Sequence, residues 1–171
     1  ISKGECGDEL AEMGDMAFRG AMAFSDDGKY VKSTRLFMLA AKYITAFDKG
    51  LICHAIDPEL NAEGYMHEGA VSARIGVPGI PAVSEGIAVA RDCIIAEHTG
   101  AHVHIAHVAS KGAIDIIRQY KAKGVNVTSE VTVHHLTLTD EACATYNPAT
   151  RVSPPLRSWD HVQAMREAVL D

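Results

Sequence analysis

Short apolar runs alternate with segments of helical character along this chain, and that alternation limits its fold more than any other feature. The apolar runs lie within residues 20–29, 51–57, 101–110 and 125–135. The predicted helices span residues 32–50, 82–100, 111–124 and 160–171. In the first helical segment, apolar residues recur at intervals of three and four. Strands that alternate with helices predict an α/β fold, with a parallel sheet and helices outside it.

Capping signals mark several of the predicted boundaries. Ser33 or Thr34 is suited to cap the start of the first helix, and Gly50 is predicted to close it. Gly100 is predicted to stop the second helix. Residues 58–82 are punctuated by glycine and proline, and this stretch is too long for a simple connection.

Polar residues follow the predicted strands, which bears on the choice between two parallel architectures. They are Asp26, Asp27, His54, His107, His134 and His135. No glycine-rich phosphate loop follows the first strand, which argues against a nucleotide-binding doubly wound sheet. In a barrel, strand tips converge on the face that carries active sites, and a complete barrel needs about 250 residues. We therefore predict a partial (β/α)₈ TIM barrel, roughly strands 3/4 to 7 with their helices, as a single domain over residues 1–171.

Composition excludes several classes of protein. The chain is 47% hydrophobic and 22% charged, which is typical of a soluble globular domain. Its net charge of −6 disfavours nucleic acid and anionic membranes as partners. Its cysteines form no CxxC pair, so reduced thiols and a cytoplasmic location are predicted. The chain begins at Ile1 and stops within a predicted helix, so we expect it to be a piece of a longer protein.

Aspartate and histidine at strand tips are the residue types that hold zinc while leaving a position open for water. Bound zinc lowers the pKa of that water to about 7 and polarises a carbonyl, and amide hydrolysis at neutral pH needs both effects. Each residue also has a structural interpretation. Asp26 and Asp27 before Gly28 form a turn signal, and the adjacent His134 and His135 would face opposite ways on a strand.

Three histidines fall within the strand predicted over residues 101–110. His102 and His104 share one face of that strand. His107 would lie on the opposite face unless the strand ends before it. Residue types and periodicity alone therefore leave both a zinc hydrolase and a set of ordinary core or rim histidines open.

Longer motifs extend the argument beyond single residues. Over essentially its whole length, and in family order, the chain resembles dihydroorotases of the bacterial class I type in the amidohydrolase superfamily. The stretches that carry the resemblance are "ISKGECGDELAEMGDMAF", "FSDDG", "CHAIDPEL", "HEGAVSARIGVPGIPAVSE", "ARDCIIAEHTGAHVHIAHVAS", "VTSEVTVHHLTLTDE" and "RVSPPLRS".

The resemblance implies a metal site built from three of the tip residues. Asp27 would bridge two zinc ions, and His54 and His107 would hold the second ion. The intervals between them, 54 − 27 = 27 and 107 − 54 = 53 residues, fit the family pattern. In this scheme a hydroxide shared by the zinc ions attacks the cyclic amide of dihydroorotate and gives N-carbamoyl-aspartate, the reverse of the biosynthetic step in de novo pyrimidine synthesis. His102 and His104 then become packing or supporting residues.

Two positions bear on the branch of the superfamily. Related hydantoinases, dihydropyrimidinases and allantoinases use a carbamylated lysine as the bridging ligand, whereas the matching residue here is Asp27, with Lys29 as a minor alternative. Ser153 stands where dihydroorotases usually place a substrate-contacting asparagine, and serine is more typical of the hydantoinase branch. Arg157 is a candidate for the substrate carboxylate by charge only, and we expect a surface or packing arginine.

The family's HxH pair on the first barrel strand and its proton-shuttle aspartate on the final strand are not in these residues, so we expect no activity from this chain alone. The resemblance implies a small-molecule substrate, and a homodimer or association with aspartate transcarbamoylase. Two alternatives stay open: an enzyme of the hydantoinase or allantoinase branch, and a non-catalytic dihydroorotase-like scaffold subunit of aspartate transcarbamoylase.

Overall fold

A four-stranded parallel sheet organises the structure. The computed structural model describes residues 1–61 and 63–171; position 62, inside the predicted 58–82 connection, lies outside that description. The strands are β1 (Ala23–Ser25), β2 (Gly50–Cys53), β3 (Met66–His67), β4 (Gly79–Ile80), β5 (His102–Ile105) and β6 (Val127–Ser129). The main sheet has the order β1-β2-β5-β6, and every pairing in it is parallel.

Helices connect and cover these strands. The α-helices are α1 (Met13–Phe18), α2 (Thr34–Ile44), α3 (Pro58–Asn61), α4 (Ala70–Ile75), α5 (Val83–Thr99), α6 (Lys111–Ala122), α7 (Val133–Thr137) and α8 (Trp159–Ala168). Short 3₁₀ turns occur at Lys3–Glu5, Thr45–Phe47, Asp140–Thr145 and Pro148–Thr150. Among the described residues, no helix combines the length and the apolar character that crossing a membrane requires.

The two faces of the sheet differ in chemistry. One face packs against helices and carries a buried row in register, Phe24, Leu51, Val103 and Val127. The opposite face carries the next row, Ser25, Ile52, His104 and Thr128. Burial of the first row contributes to the hydrophobic core, while the second row carries polar side chains at all of its positions except Ile52.

Helix α2 begins as predicted but ends differently. The Ser33 hydroxyl accepts a hydrogen bond from the backbone N–H of Leu36 at 3.2 Å, so Ser33 is the N-cap. The prediction that Gly50 closes the helix was wrong, because Asp48 takes the left-handed conformation (φ 52°) and Gly50 already belongs to β2. Gly50 instead lies against His102: a Cβ placed there would be 2.9 Å from its Nδ1.

The helices on either side of β5 match their predicted bounds closely. Gly100 ends α5 with a left-handed φ of 73°, the conformation that glycine adopts without strain. The Ser110 hydroxyl caps α6 by accepting from the N–H of Ala113. These two ends fix β5 and the turn after it between two well-defined helices.

The glycine- and proline-rich stretch is structured. It holds α3, α4 and a two-stranded parallel sheet in which Met66 pairs with Gly79 and His67 with Ile80. This small sheet is separate from the main one, and it explains why the stretch exceeds a simple connection.

The stretch 125–135 is a strand only in part. Strand β6 stops at Ser129, and His134 and His135 lie in α7 instead of at a strand tip. The Thr132 hydroxyl caps this short helix by accepting from the N–H of His135. The strand prediction for these two histidines was therefore wrong.

Candidate metal centre

Three of the tip residues meet at the carboxyl ends of neighbouring strands. Asp27 follows β1, His54 follows β2 and His107 follows β5. Because these strands are adjacent and parallel in the sheet, their carboxyl ends lie side by side. One potential ligand atom from each residue lies within 4.8 Å of the others.

The distances inside this group, which we call the Asp27–His54–His107 cluster, are short. His54 Nδ1 lies 3.0 Å from His107 Nε2, which in turn lies 3.2 Å from Asp27 Oδ1. His54 Nδ1 is 3.4 Å from the same carboxylate oxygen. His54 is buried, whereas the Asp27 side chain is 51% exposed, so the cluster opens to solvent on the Asp27 side.

The surroundings favour the protonation states that bind a cation. Burial lowers the pKa of the His54 imidazole below its usual range, and His107 lowers it further against the opposing charge of Asp27. Burial alone would raise the pKa of the Asp27 carboxyl, but hydrogen bonds from the Gly28 backbone and from His107 outweigh it, so that pKa lies below its usual range. At neutral pH the cluster therefore offers a neutral imidazole at His54 and a carboxylate at Asp27.

The adjacent aspartates have different roles in the structure. The Asp26 carboxylate is buried and accepts hydrogen bonds from the Ser2 backbone N–H at 2.9 Å and from the Ser2 hydroxyl. The backbone N–H of Asp27 donates to Ser25 Oγ at 2.9 Å, which leaves the Asp27 carboxylate to face the histidines. Lys29 is not in the cluster, and its ammonium lies 3.9 Å from Glu5.

The end of β5 explains how His107 reaches the cluster although His102 and His104 lie on the strand itself. The strand stops at Ile105, and His107 takes a left-handed φ of 40°, which is uncommon for a residue with a side chain. As predicted, His102 and His104 stay outside the cluster. Both lie 2.9 Å from the Thr128 hydroxyl on the neighbouring strand.

The remaining predicted residues lie elsewhere. His135 Nε2 is 3.0 Å from the carbonyl oxygen of Pro154, and His134 is also outside the cluster. Ser153 is exposed, and its predicted contact with substrate stays a prediction. Arg157 is a packing arginine as expected, 1% exposed and donating to the Ile80 carbonyl at 2.7 Å.

Sequence reasoning missed Glu85, a carboxylate buried behind the cluster. It is 1% exposed and accepts a hydrogen bond at 2.8 Å from the N–H of Ala109, two residues after His107. The signal was available in the sequence: Glu85 stands three and four residues before Ala88 and Val89, on the apolar face of α5.

A cavity of about 400 Å³ lies beside the cluster and includes His54 in its wall. Lys29, Tyr30 and Asn61 also line it. Its size is within the range of small-molecule sites.

Comparison with known proteins places the chain in a family. A family model described as dihydro-orotase-like matches residues 1–113. Dihydroorotases from Pelotomaculum thermopropionicum and Streptomyces coelicolor are 51% and 44% identical over 171 and 173 residues. Each alignment includes the whole of this chain, which spans 40% of the length of each relative.

Solved structures of similar shape support the fold. A D-hydantoinase aligns with 99% of this chain at a TM-score of 0.74 and 18% identity, over 39% of its own length. An L-hydantoinase (dihydropyrimidinase) from Arthrobacter aurescens aligns with 90% at a TM-score of 0.71 and 21% identity, over 36% of its length. The predicted partial barrel is confirmed. The match over residues 1–113 and the high identity to dihydroorotases show that the chain belongs to the dihydro-orotase-like family.

Proposed function

We propose that this chain forms the metal-binding part of a zinc-dependent dihydroorotase. The reaction is the reversible hydrolysis of the cyclic amide of dihydroorotate to N-carbamoyl-aspartate, in de novo pyrimidine biosynthesis. The observation that carries the proposal is the convergence of Asp27, His54 and His107 at three adjacent strand ends, in a chain 51% identical to a dihydroorotase.

The donor atoms of the cluster suit zinc. Two imidazole nitrogens and one carboxylate oxygen are typical ligands of a catalytic zinc ion, which keeps a further position open. In the two-zinc scheme, Asp27 would be the ligand shared by the two ions, and His54 and His107 would hold one of them. Bound zinc supplies Lewis acidity and lowers the pKa of a bound water.

The side chains prepare the site in separate ways. His54 is buried, and its lowered pKa favours the neutral imidazole, which has one ring nitrogen without a proton. The Asp27 carboxylate supplies negative charge, and its exposure leaves one side of the cluster open to a substrate. Ser153 is proposed to contact that substrate.

The test begins with zinc titration of the purified 171-residue chain, followed by calorimetry. We expect one weakly held ion. His107→Asn should weaken binding by more than the 10–100-fold that follows loss of an outer-shell partner. His102→Asn is the matched control, since His102 lies on the same strand but contacts Thr128, and it should bind zinc like the parent.

Activity belongs to the longer protein that we propose contains these residues. The chain alone should show no turnover of carbamoyl-aspartate with zinc, whereas the longer protein should cyclise it. Clear turnover by the 171-residue chain would contradict the proposed division of the active site. Cytoplasmic location, a homodimer and association with aspartate transcarbamoylase are part of the same proposal.

A hydantoinase is the second candidate, and Ser153 is the observation that favours it. Asp27 in the bridging position and the high identity to dihydroorotases favour the first candidate. Comparing dihydroorotate, hydantoin and allantoin as substrates of the longer protein decides between them. Preference for hydantoin or allantoin would overturn the dihydroorotase proposal.

A further inference from the structure

The turn after β5 is fixed by backbone hydrogen bonds to three different parts of the molecule. The N–H of Ala106 donates to the carbonyl of Cys53 at 3.1 Å, and the N–H of Val108 donates to that of Glu130 at 2.9 Å. The third bond, from Ala109, goes to the side chain of Glu85 at 2.8 Å. Glu85 is therefore the side-chain anchor in this set, on a helix outside the sheet.

The conformation that these bonds hold is an unfavourable one. His107 lies between the first bond and the other two, and its φ of 40° is left-handed. A residue with a side chain in this region is strained, and it persists only where the surroundings determine the backbone. A hydrogen bond from a residue shortly after His107, such as the one from Ala109 to Glu85, stabilises a turn of this conformation.

Burial of the Glu85 carboxylate is energetically unfavourable by itself. A carboxylate removed from water is destabilising unless hydrogen bonds and an opposite charge compensate it. Burial raises the pKa of the Glu85 carboxyl, while the charge of Arg157 and hydrogen bonds from Ser110 and Ala109 oppose that rise. Arg157 is itself 1% exposed and is held by the Ile80 carbonyl and by His67.

We propose that Glu85 is a positioning residue for the metal centre. Its carboxylate holds the 106–110 turn so that the His107 imidazole faces Asp27 and His54. The role of Glu85 in zinc binding rests on the proposed function, in which His107 is a zinc ligand. The hydrogen bond and the turn can also be measured without metal.

Two substitutions separate the position of the acceptor from its charge. Glu85→Gln keeps an oxygen at the same distance along the side chain, so it can still accept from Ala109 although it loses the charge opposite Arg157. Glu85→Asp keeps the charge but withdraws the oxygens by one methylene. Ile95→Ala, near the other end of α5, is the control for lost stability, because Ile95 is buried but far along the helix from the turn.

Zinc affinity, measured by calorimetry on each folded variant, gives the first readout. We expect Glu85→Asp to bind zinc at least tenfold more weakly than the parent, and Glu85→Gln and Ile95→Ala to stay within threefold of it. Equal affinities for the Asp and Gln variants would overturn the proposal. If Glu85→Asp does not fold, a tenfold loss in Glu85→Gln overturns it, and retained affinity supports it.

Hydrogen exchange of the Ala109 amide in the metal-free chain gives the second readout. The amide should exchange at least tenfold faster in Glu85→Asp than in Glu85→Gln, relative to neighbouring amides. A parent chain that binds no zinc would contradict the proposed function, and the exchange comparison would then decide the role of Glu85 alone. Equal exchange in the two variants rejects that role.

Discussion

At the scale of single residues, close backbone approach and unusual backbone geometry determine which side chains reach the cluster. His107 lies two residues beyond β5 with a left-handed φ, and its imidazole lies 3.2 Å from the Asp27 carboxylate. Asp27 is available because Asp26 takes the hydrogen bonds from Ser2. Neighbouring residues of identical type thus acquire different roles from the backbone that carries them.

Gly50 allows a test of how closely the backbone of β2 approaches the His102 side chain. An added Cβ would lie 2.9 Å from His102 Nδ1, so Gly50→Ala forces the imidazole away from the Thr128 hydroxyl. We expect a loss of about 1–3 kcal/mol in the free energy of unfolding, measured by urea denaturation. Gly112→Ala is the matched control: it lies in α6 with open space around it and should stabilise the chain by up to about 1 kcal/mol. Unchanged stability in Gly50→Ala would contradict the predicted clash.

At the scale of elements, the N-cap of α2 is a local interaction with a local test. Ser33→Ala removes the hydroxyl that accepts from Leu36, so the free energy of unfolding should fall by about 1 kcal/mol. Thr34→Ala tests the other cap that the sequence offered and should change stability by less than half as much. A larger loss of stability in Thr34→Ala than in Ser33→Ala would show that Thr34, and not Ser33, caps the helix. Thermal or urea denaturation of both variants distinguishes the two.

Local signals explain which elements the sequence predicted. Helix α5 and its stop at Gly100 follow from periodicity and from glycine's freedom at positive φ. The end of α2 could not be predicted from such signals, because the left-handed residue is Asp48 and Gly50 belongs to strand β2. Helix α7 was missed because it is only five residues long and follows an apparently β-rich stretch, and its one local signal is the capping hydroxyl of Thr132.

The candidate site was predictable only in part for a related reason. The strand tips and the family motifs predicted Asp27, His54 and His107 as ligands, and the structure brings the three side chains together. Glu85 acts through a backbone N–H twenty-four positions away (109 − 85 = 24), and no local pattern encodes that contact. The φ of His107 is likewise set by bonds to distant parts of the chain.

At the scale of the whole molecule, the separate 58–82 region explains how distant residues meet. His54 and His107 are 53 positions apart, yet they follow strands that pair directly in the sheet. The intervening chain accommodates that distance by folding into the small β3–β4 sheet and helix α5. Arg157 ties this region to the later chain, since it donates to His67 and to the Ile80 carbonyl.

Two structural histidines, His67 and His135, are buried in the neutral form, and each should contribute stability that is lost as the pH falls. Burial, with nearby Arg157, lowers the pKa of His67 from 6.5 to about 4, and burial likewise lowers the pKa of His135 to about 4. The unfolded chain then binds more protons than the folded chain between pH 6.5 and pH 4. The stability associated with each neutral histidine is therefore complete above pH 6.5 and is lost as the pH falls toward 4.

His67→Asn isolates one of these contributions, since the asparagine oxygen can still accept from Arg157 but does not titrate. Urea denaturation at pH 7.5 and pH 5.0 should show that the parent loses about 2 kcal/mol more than this variant between the two conditions. His98→Asn replaces an exposed histidine and should keep the parent's pH dependence. If the His67 variant and the parent lose the same free energy on acidification, the histidine is protonated at no cost in the folded chain. The link through Arg157 would then tolerate a charged imidazole, contrary to the burial of both groups.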